Sequence, residues 1–439
     1  MSWTQPSTAI LASNLRRTAL ALATLCALTM LAMQSAQAQM FTVLHNFTGG
    51  QDGDSPLAGL TMDAGGNLYG TTSIGGRGVG TVFKLSYKGS GWIFTPLYAF
   101  EGVSDGASPS TGVVIASNGS LYGTTEYGGI QSCDRIYGGC GTIYSLGPAA
   151  HFSPNLFAPW TETVLYRFVG GSSGKFPSGV VLDQSGDIFG TAAQGGAAGC
   201  PPIGSCGTVF ELTHSVGGGW TGSTIYTFTG GNDGGTPAGL IFDSDGNLYG
   251  TAGSGGYTGG NCRAQGCGVV YELMRSGSNW LEKTLYSFQG AGDGELPEGG
   301  LILDGSGNLY GTTAEAGLGG GTVFELTPSN GNWIFTVLYA FTDRGEPISS
   351  LAMDASGNLY GTTVVGGPFQ KGSVFKLTPS NGSWTYMSLH DFTGGSDGGY
   401  PVSNVVFDVR GNLYGTASEG GNLSDCNGTG CGVVWEITP

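Results

Sequence analysis

The sequence is poor in charge, and poorest in positive charge. Only 10% of its residues are charged, with Lys+Arg 15 against Asp+Glu 31 and a formal net charge of −16. So few basic residues leave no electrostatic footprint for nucleic acid or for an anionic membrane surface, and the acidity serves mainly solubility. No apolar run reaches the roughly 20 residues of a spanning helix, so no membrane span is expected. No segment after residue 39 keeps a long helical period. Catalytic signatures are missing too: there is no G-x-S-x-G, no H-E-x-x-H and no phosphate-binding loop. Gly-rich stretches such as "GLGGGT" (317–322) join strand to strand, without the helix N-terminus that phosphate binding needs.

What is abundant is glycine, 85 residues of it, together with 11% aromatics. Low charge with abundant glycine can signal disorder, but the aromatics and dense Val, Leu and Ile argue for a packed core. The first residues stand apart. Arg16 and Arg17 precede an apolar run from Thr18 to Met33, and "AQA" at Ala36–Ala38 has the small-x-small form of a cleavage site. Residues 1–38 therefore read as a secretory signal peptide, leaving 39–439 as the mature chain.

Within 39–439 the stretch "GNLYGTT" recurs. Its aromatic falls at Tyr69, Tyr122, Phe189, Tyr249, Tyr310, Tyr360 and Tyr414. Periods near 50 residues point to propellers or arrays. Each copy holds four strand-like runs, here named a to d. In the fourth they are "AGLIFD" (238–243), "NLYGTA" (247–252), "GVVYELM" (268–274) and "EKTLYSF" (282–288). β-Branched and aromatic residues fill the runs, and Gly, Asn, Asp and Pro fill the gaps. The expected fold is all-β: a seven-bladed β-propeller of four-stranded antiparallel blades, one domain of seven repeats. The mature chain opens with a d strand, "FTVLHNF" (41–47), and finishes with a c strand, "GVVWEITP" (432–439). The last blade should therefore be closed by the N-terminal strand, which removes two exposed edges. Residues repeated in every blade, the motif tyrosines included, read as inter-blade core.

The unit "LYxFTGGxDGxxPxAGLxxDxxGNLYGTTxxGGxxxxGTVFxLTPSxGxW" resembles the GloVer repeat of exported bacterial tandem-repeat proteins with varied surface anchors, across residues 41–439. The resemblance implies an exported, bacterial protein of no established molecular activity. Because the chain stops at a c strand, release into the periplasm or medium is expected rather than anchoring. The "GLxxDxxGNLY" core is also similar to that of NHL-type and streptogramin-lyase-like propellers, which keeps an enzyme reading open.

Cys26 falls in the leader. The other eight cysteines form four close pairs in b–c loops: Cys133/Cys140, Cys200/Cys206, Cys262/Cys267 and Cys426/Cys431. An even count, local pairing and export favour disulfides. Zinc is the rival, but the pairs sit in separate blades and two thiolates do not fill a tetrahedral site, so neither a metal nor any other cofactor is assigned.

Chemistry has few other places to hide. The d–a turns, "GGxDGxxP", bring Asp52, Asp105, Asp233, Asp293 and Asp397 to the disulfide face. Five near-symmetric carboxylates around a channel mouth suit a cation such as Ca²⁺. Asp-Gly is also a strong turn dipeptide, and as turn residues they should tolerate Asn. Six tryptophans, Trp92, Trp160, Trp220, Trp280, Trp333 and Trp384, lie on the opposite face, either as platforms for sugar rings or as covers for blade seams. His45 and His390 replace the Tyr of "LYxF", while His151 and His214 sit in c–d connections. Non-repeating polar residues on the disulfide face are Lys175, Asp134, Arg135, Arg263, Glu295, Glu298, Arg344 and Asp425, and they are where an enzyme's broken symmetry would show. The leading expectation is an exported, secreted scaffold or binding protein without catalytic activity, a monomer that recognises a surface polymer, a glycan (polysaccharide) or a protein through a propeller face. The alternative is a propeller lyase or hydrolase with its site at the channel mouth.

Overall fold

In the computed structural model of the chain, the residues described are 39–130, 133, 138–148, 160–196, 206–215, 217–316 and 319–438. The leader and the 317–318 part of the glycine run lie outside them. Phe41–Ile437 form one compact unit.

Seven four-stranded antiparallel sheets make up the described chain. Blade 1 runs Thr61–Met62, Leu68–Thr72, Thr81–Tyr87 and Trp92–Ala99 in the order a to d. Blades 2 to 6 repeat that order. Blade 7 takes its first three strands from Val406–Phe407, Leu413–Ala417 and Val433–Thr438, and its fourth from Met40–Asn46. The expected closure is thus present, and the Phe47 amide donates to the Gly432 carbonyl at 3.0 Å.

The repeated seven residues each have a task. The tyrosine ring enters the seam with the next blade. Tyr69 of blade 1, for instance, packs with Val113, Leu121, Tyr144 and Leu146 of blade 2. Its hydroxyl does a second job, described below. The glycine makes room, because a Cβ on Gly70 would stand 2.5 Å from the Phe83 ring of strand c, and one on Gly415 would stand 2.3 Å from Trp435.

The first threonine ties blade to blade. Its hydroxyl donates to a carbonyl at the start of the next blade: Thr71 to Thr111, Thr124 to Pro177, Thr191 to Ala238, Thr251 to Gly299, Thr312 to Ser349 and Thr362 to Ser403. Thr416 of blade 7 donates to Ala58 of blade 1 at 3.0 Å, which completes the ring. All seven hydroxyls are buried, so each bond satisfies a carbonyl that would otherwise be desolvated without a partner.

The second threonine pairs within its blade. Thr72 meets Thr81, Thr125 meets Thr142 and Thr313 meets Thr322, each at 2.8 Å between hydroxyl oxygens. Where the motif reads Ala, the partner is apolar in two blades, Ala252 with Val269 and Ala417 with Val433. In blade 3 Ala192 instead faces Thr208, whose buried hydroxyl is left without a hydrogen-bond partner.

Candidate functional site

Two faces carry the connections. The a–b turn is built by one aspartate. Asp63 Oδ1 accepts the amides of Gly65 and Asn67, and Asp63 Oδ2 accepts the Asn67 side-chain amide at 2.8 Å and the Tyr69 hydroxyl at 3.1 Å. Burial and these partners act together. Burial opposes ionisation of Asp63, the Asn67 and Tyr69 bonds outweigh it, and the carboxyl lies below its usual range. Tyr69, buried beside that charge, is pushed up to about 12. Asp243, Asp304, Asp354 and Asp408 make the same bonds to Tyr249, Tyr310, Tyr360 and Tyr414. This explains the spacing D-x-x-G-N-x-Y. The motif tyrosine is a core residue whose polar end locks its own turn.

The tryptophans of this face pack edge-on against the motif aromatic of the preceding blade: Trp92 on Tyr414, Trp160 on Tyr69, Trp220 on Tyr122, Trp280 on Phe189 and Trp333 on Tyr249, with ring centroids 5.6 to 6.5 Å apart. Trp384 joins the cluster around Tyr310. They cover the blade seams.

On the opposite face, disulfides join Cys133 to Cys140, Cys262 to Cys267 and Cys426 to Cys431, with Cα atoms 5.6, 5.1 and 5.4 Å apart. Cys206 is also disulfide-bonded, and its expected partner, Cys200, lies outside the described residues. The bridges press on the d–a turns. A Cβ at Gly49 would meet Cys426 Sγ at 2.8 Å, and one at Gly290 would meet Cys267 Sγ at 2.6 Å.

The five turn aspartates sit inside those turns, each bonded to its own blade. Asp105 accepts the amides of Glu101 and Gly102 and the Tyr98 hydroxyl. Asp233 accepts the Thr229 amide, the Thr229 hydroxyl and the Tyr226 hydroxyl. Asp293 accepts the Gln289 amide and Tyr286. His45 and His390 replace the tyrosine as partners of Asp52 and Asp397, both at 3.1 Å. Burial resists the charge on Asp52, but the His45 and Thr48 bonds hold its carboxyl below the usual range. Among the described residues the one group of three metal-type ligand atoms within 4.8 Å is Asp54 with Cys426 and Cys431, and those two sulfurs are already joined.

The non-repeating residues behave differently. Arg263, in the b–c loop of blade 4, pairs with Glu315 of blade 5, and Glu295 and Glu298 lie close enough to act on its charge. Burial, with Glu315 and Glu346 nearby and only Arg263 opposing, raises the Glu298 carboxyl. Glu295 is raised by burial and Glu315, and Glu346 by burial and Glu315 against Arg344. A cleft of about 370 Å³ opens here, lined by Ser178, Thr236, Ser254, Arg263, Gln265 and Glu298 among others. Three of the eight residues singled out by broken symmetry, Arg263, Glu295 and Glu298, are therefore brought together, while Arg344 acts on its neighbour Glu346. Lys175 lies over the Phe176 ring and Asp425 is bonded to Asn422 in its own turn. Asp134 and Arg135 lie outside the described residues.

Sequence reasoning missed Glu315, Glu346 and Gln265. A weak signal was there for Glu315, because its place at the end of strand b is held by Ile74, Tyr127, Gln194, Ser254 and Val365 in five other copies, although the seventh also has glutamate, Glu419. A position that varies inside an otherwise strict repeat marks exposed wall. The d–a turns share a positive backbone angle. Ser55, Ser108, Phe176, Thr236, Leu296 and Tyr400, each just before a proline, hold φ between 55 and 60°. For a β-branched residue such as Thr236 that region is disfavoured, but the conformation recurs in six of the d–a turns and so belongs to the repeat rather than to this cleft.

Fold and site together define a closed seven-bladed propeller with a charged, asymmetric cleft on its disulfide face. The chain belongs to the Gloeobacter/Verrucomicrobia repeat family, which it matches over residues 29–154 and 204–431. A search of curated proteins finds no match. Among solved structures it is similar to a gluconolactonase from Xanthomonas campestris, at 15% identity and TM-score 0.35 over 63% of this chain and 74% of that one. It is also similar to a protein from Lactobacillus plantarum, at 13% identity and TM-score 0.46 over 76% and 83% of the two chains. A luciferin-regenerating enzyme matches at 14% identity and TM-score 0.43 over 91% and 95%.

Proposed function

We propose that residues 1–38 are a signal peptide and that the exported propeller is a binding protein for a surface glycan, taken up in the cleft of Arg263, Gln265 and Glu298. One observation carries this reading. The repeated carboxylates are bonded within their own turns, with only Asp293 Oδ1 left without a partner, whereas non-repeating donors and acceptors from blades 3, 4 and 5 converge on a cleft of about 370 Å³. The Gln265 amide, a guanidinium and a carboxylate, beside the mutually bonded hydroxyls of Thr236 and Ser254, match the alternating donors and acceptors of a sugar. The excess of glutamate there disfavours polyanionic chains such as uronate polymers. Disulfides and membership of the repeat family support a place outside the cytoplasm.

The test is a glycan array probed with the oxidised mature protein, with Arg263→Ala and Glu298→Gln beside it. Binding of a neutral or cationic glycan that both variants lose supports the reading. A hit that survives both substitutions defeats it. The raised carboxyl of Glu298 favours a second reading, a lyase or hydrolase in which Glu298 holds a proton for transfer. In that case Glu298→Gln would abolish turnover of a bound glycan while leaving its binding within a few-fold.

A further inference from the structure

On the a–b turn face, a cleft of about 490 Å³ opens where blade 7 meets blade 1, lined by Asp63, Tyr87, Trp92, Val409, Arg410 and Tyr414 among others. Three of these break the repeat. Tyr87 occupies the strand-c place that is proline in blades 2, 5 and 6, at Pro148, Pro328 and Pro379, and His214 and Arg275 in blades 3 and 4, so an aromatic phenol stands there in blade 1 alone among the described blades. Val409 and Arg410 replace the small residues of the a–b turn, Gly305 and Ser306 in blade 5 and Ala355 and Ser356 in blade 6. Val409 is fully exposed, and Tyr87 keeps 52% of its surface in water. Departures from a repeat that gather on one concavity mark a site rather than drift.

We infer that this cleft is a second carbohydrate subsite, one that takes a pyranose unit of a neutral, β-linked glycan. Tyr87 and Trp92 stand side by side, ring centroids 5.6 Å apart and tilted by 59°, and form an aromatic wall. A β-linked glucose-type ring offers axial C–H groups on both faces, the shape such a wall accepts. Val409 supplies apolar contact on the opposite lip. Arg410 is held by Asp408 at 3.4 Å and still exposes most of its side chain, which leaves guanidinium N–H groups for sugar hydroxyls. Asp63 and Asp408 are spent in their turns, so the cleft presents donors and aromatic surface rather than free charge. Its volume lies within the range of small-ligand sites. The inference shares with the reading above the class of ligand and nothing else, since the residues lie on opposite faces and in different blades.

The experiment uses the oxidised mature chain and cellohexaose, with binding followed by calorimetry and by saturation-transfer NMR. The variants are Tyr87→Ala and Arg410→Ser, the latter restoring the residue of blades 5 and 6, with Arg263→Ala as the control on the other face. The expected result is binding that weakens about tenfold or more in each seam variant, with saturation transferred to axial ring protons and no change in Arg263→Ala. Thermal melting of each variant checks that the fold is intact. If cellohexaose shows no binding to the parent protein, or binds Tyr87→Ala and Arg410→Ser as tightly as the parent, the inference is overturned. If binding is lost only in Arg263→Ala, the inference fails while the other cleft keeps its reading.

Discussion

Buried polar atoms without partners show where single residues depart from the repeat. Thr208 faces Ala192, while Val269 and Val433 face alanine in blades 4 and 7. Replacing an unsatisfied buried hydroxyl by a methyl of the same shape removes a desolvation cost, so Thr208→Val should stabilise the protein by about 1 kcal/mol in chemical denaturation. Unchanged or lower stability would show that an ordered water already satisfies the hydroxyl. A second departure involves charge. In three of the six blades with the tryptophan, the strand-d residue two places after it is aromatic: Phe94 stacks on His45, Phe335 on Tyr286 and Tyr386 on Tyr339, with centroids 4.1, 3.9 and 4.7 Å apart. Blades 2 and 4 carry Glu162 and Glu282 there, and in those blades alone the strand-c aromatic is a tyrosine, Tyr144 or Tyr271, with a buried hydroxyl that lacks a partner. Burial, reinforced by Asp105, pushes Glu162 up to about 7. A carboxyl raised in the folded state binds more protons there than in the unfolded chain, so its contribution to stability is lost as pH rises from about 4.5 to 7. The melting temperature of Glu162→Gln should therefore exceed that of the parent near pH 8, and the two should converge near pH 4.5. A constant gap across that range would refute the assignment.

At the scale of the turn, the same aspartate does more than the sequence suggested. As turn residues, Asp52, Asp105, Asp233, Asp293 and Asp397 were expected to accept Asn at little cost. Around Asp233, however, Oδ1 accepts from the Thr229 hydroxyl and Oδ2 from the Thr229 amide and Tyr226, so every neighbour is a donor. An Asn side chain would turn its NH₂ toward one of them. Asp233→Asn should therefore cost about 1–3 kcal/mol, read as a lower midpoint in urea. Added Ca²⁺ tests the rival role of these residues. A saturable rise in melting temperature that Asp→Asn variants lose would make them cation ligands. What the sequence made legible at this scale was whatever recurs. Blade number, strand order, closure and seam-covering tryptophans all follow from the period. What it hid was geometry between blades. The hydroxyl ring from Thr71 to Thr416 looks like ordinary strand-favouring threonine, and nothing in the spacing of Arg263 and Glu315, 52 residues apart, announces that they meet. Long-range pairing of variable residues leaves no periodic trace.

For the molecule as a whole, the question is what closure contributes. The N-terminal strand brings more than hydrogen bonds to the Val433–Thr438 edge. Phe47 is fully buried against Phe83 of blade 1, with ring centroids 5.3 Å apart, and so lies in the seam between the last blade and the first. Phe41 stacks on His390 at 3.7 Å and lies near Trp435, which ties the same strand to blade 6. One strand thus fills two seams. Losing one buried phenylalanine costs about 3–5 kcal/mol, so deleting residues 39–47 should destabilise blade 7 and both of its neighbours by at least that much. The deletion also bares a strand edge, which invites pairing with another chain. Both effects can be read from one variant. Its melting temperature should fall sharply, its hydrogen exchange should rise in blades 1, 6 and 7 rather than in blades 3 and 4, and it should tend to associate. A synthetic peptide of residues 39–47 supplied in trans should restore the melting temperature by adding the missing strand. If exchange rose evenly around all seven blades, closure would be holding the ring as one cooperative unit. If neither melting nor exchange changed, the ring would not depend on this strand for closure.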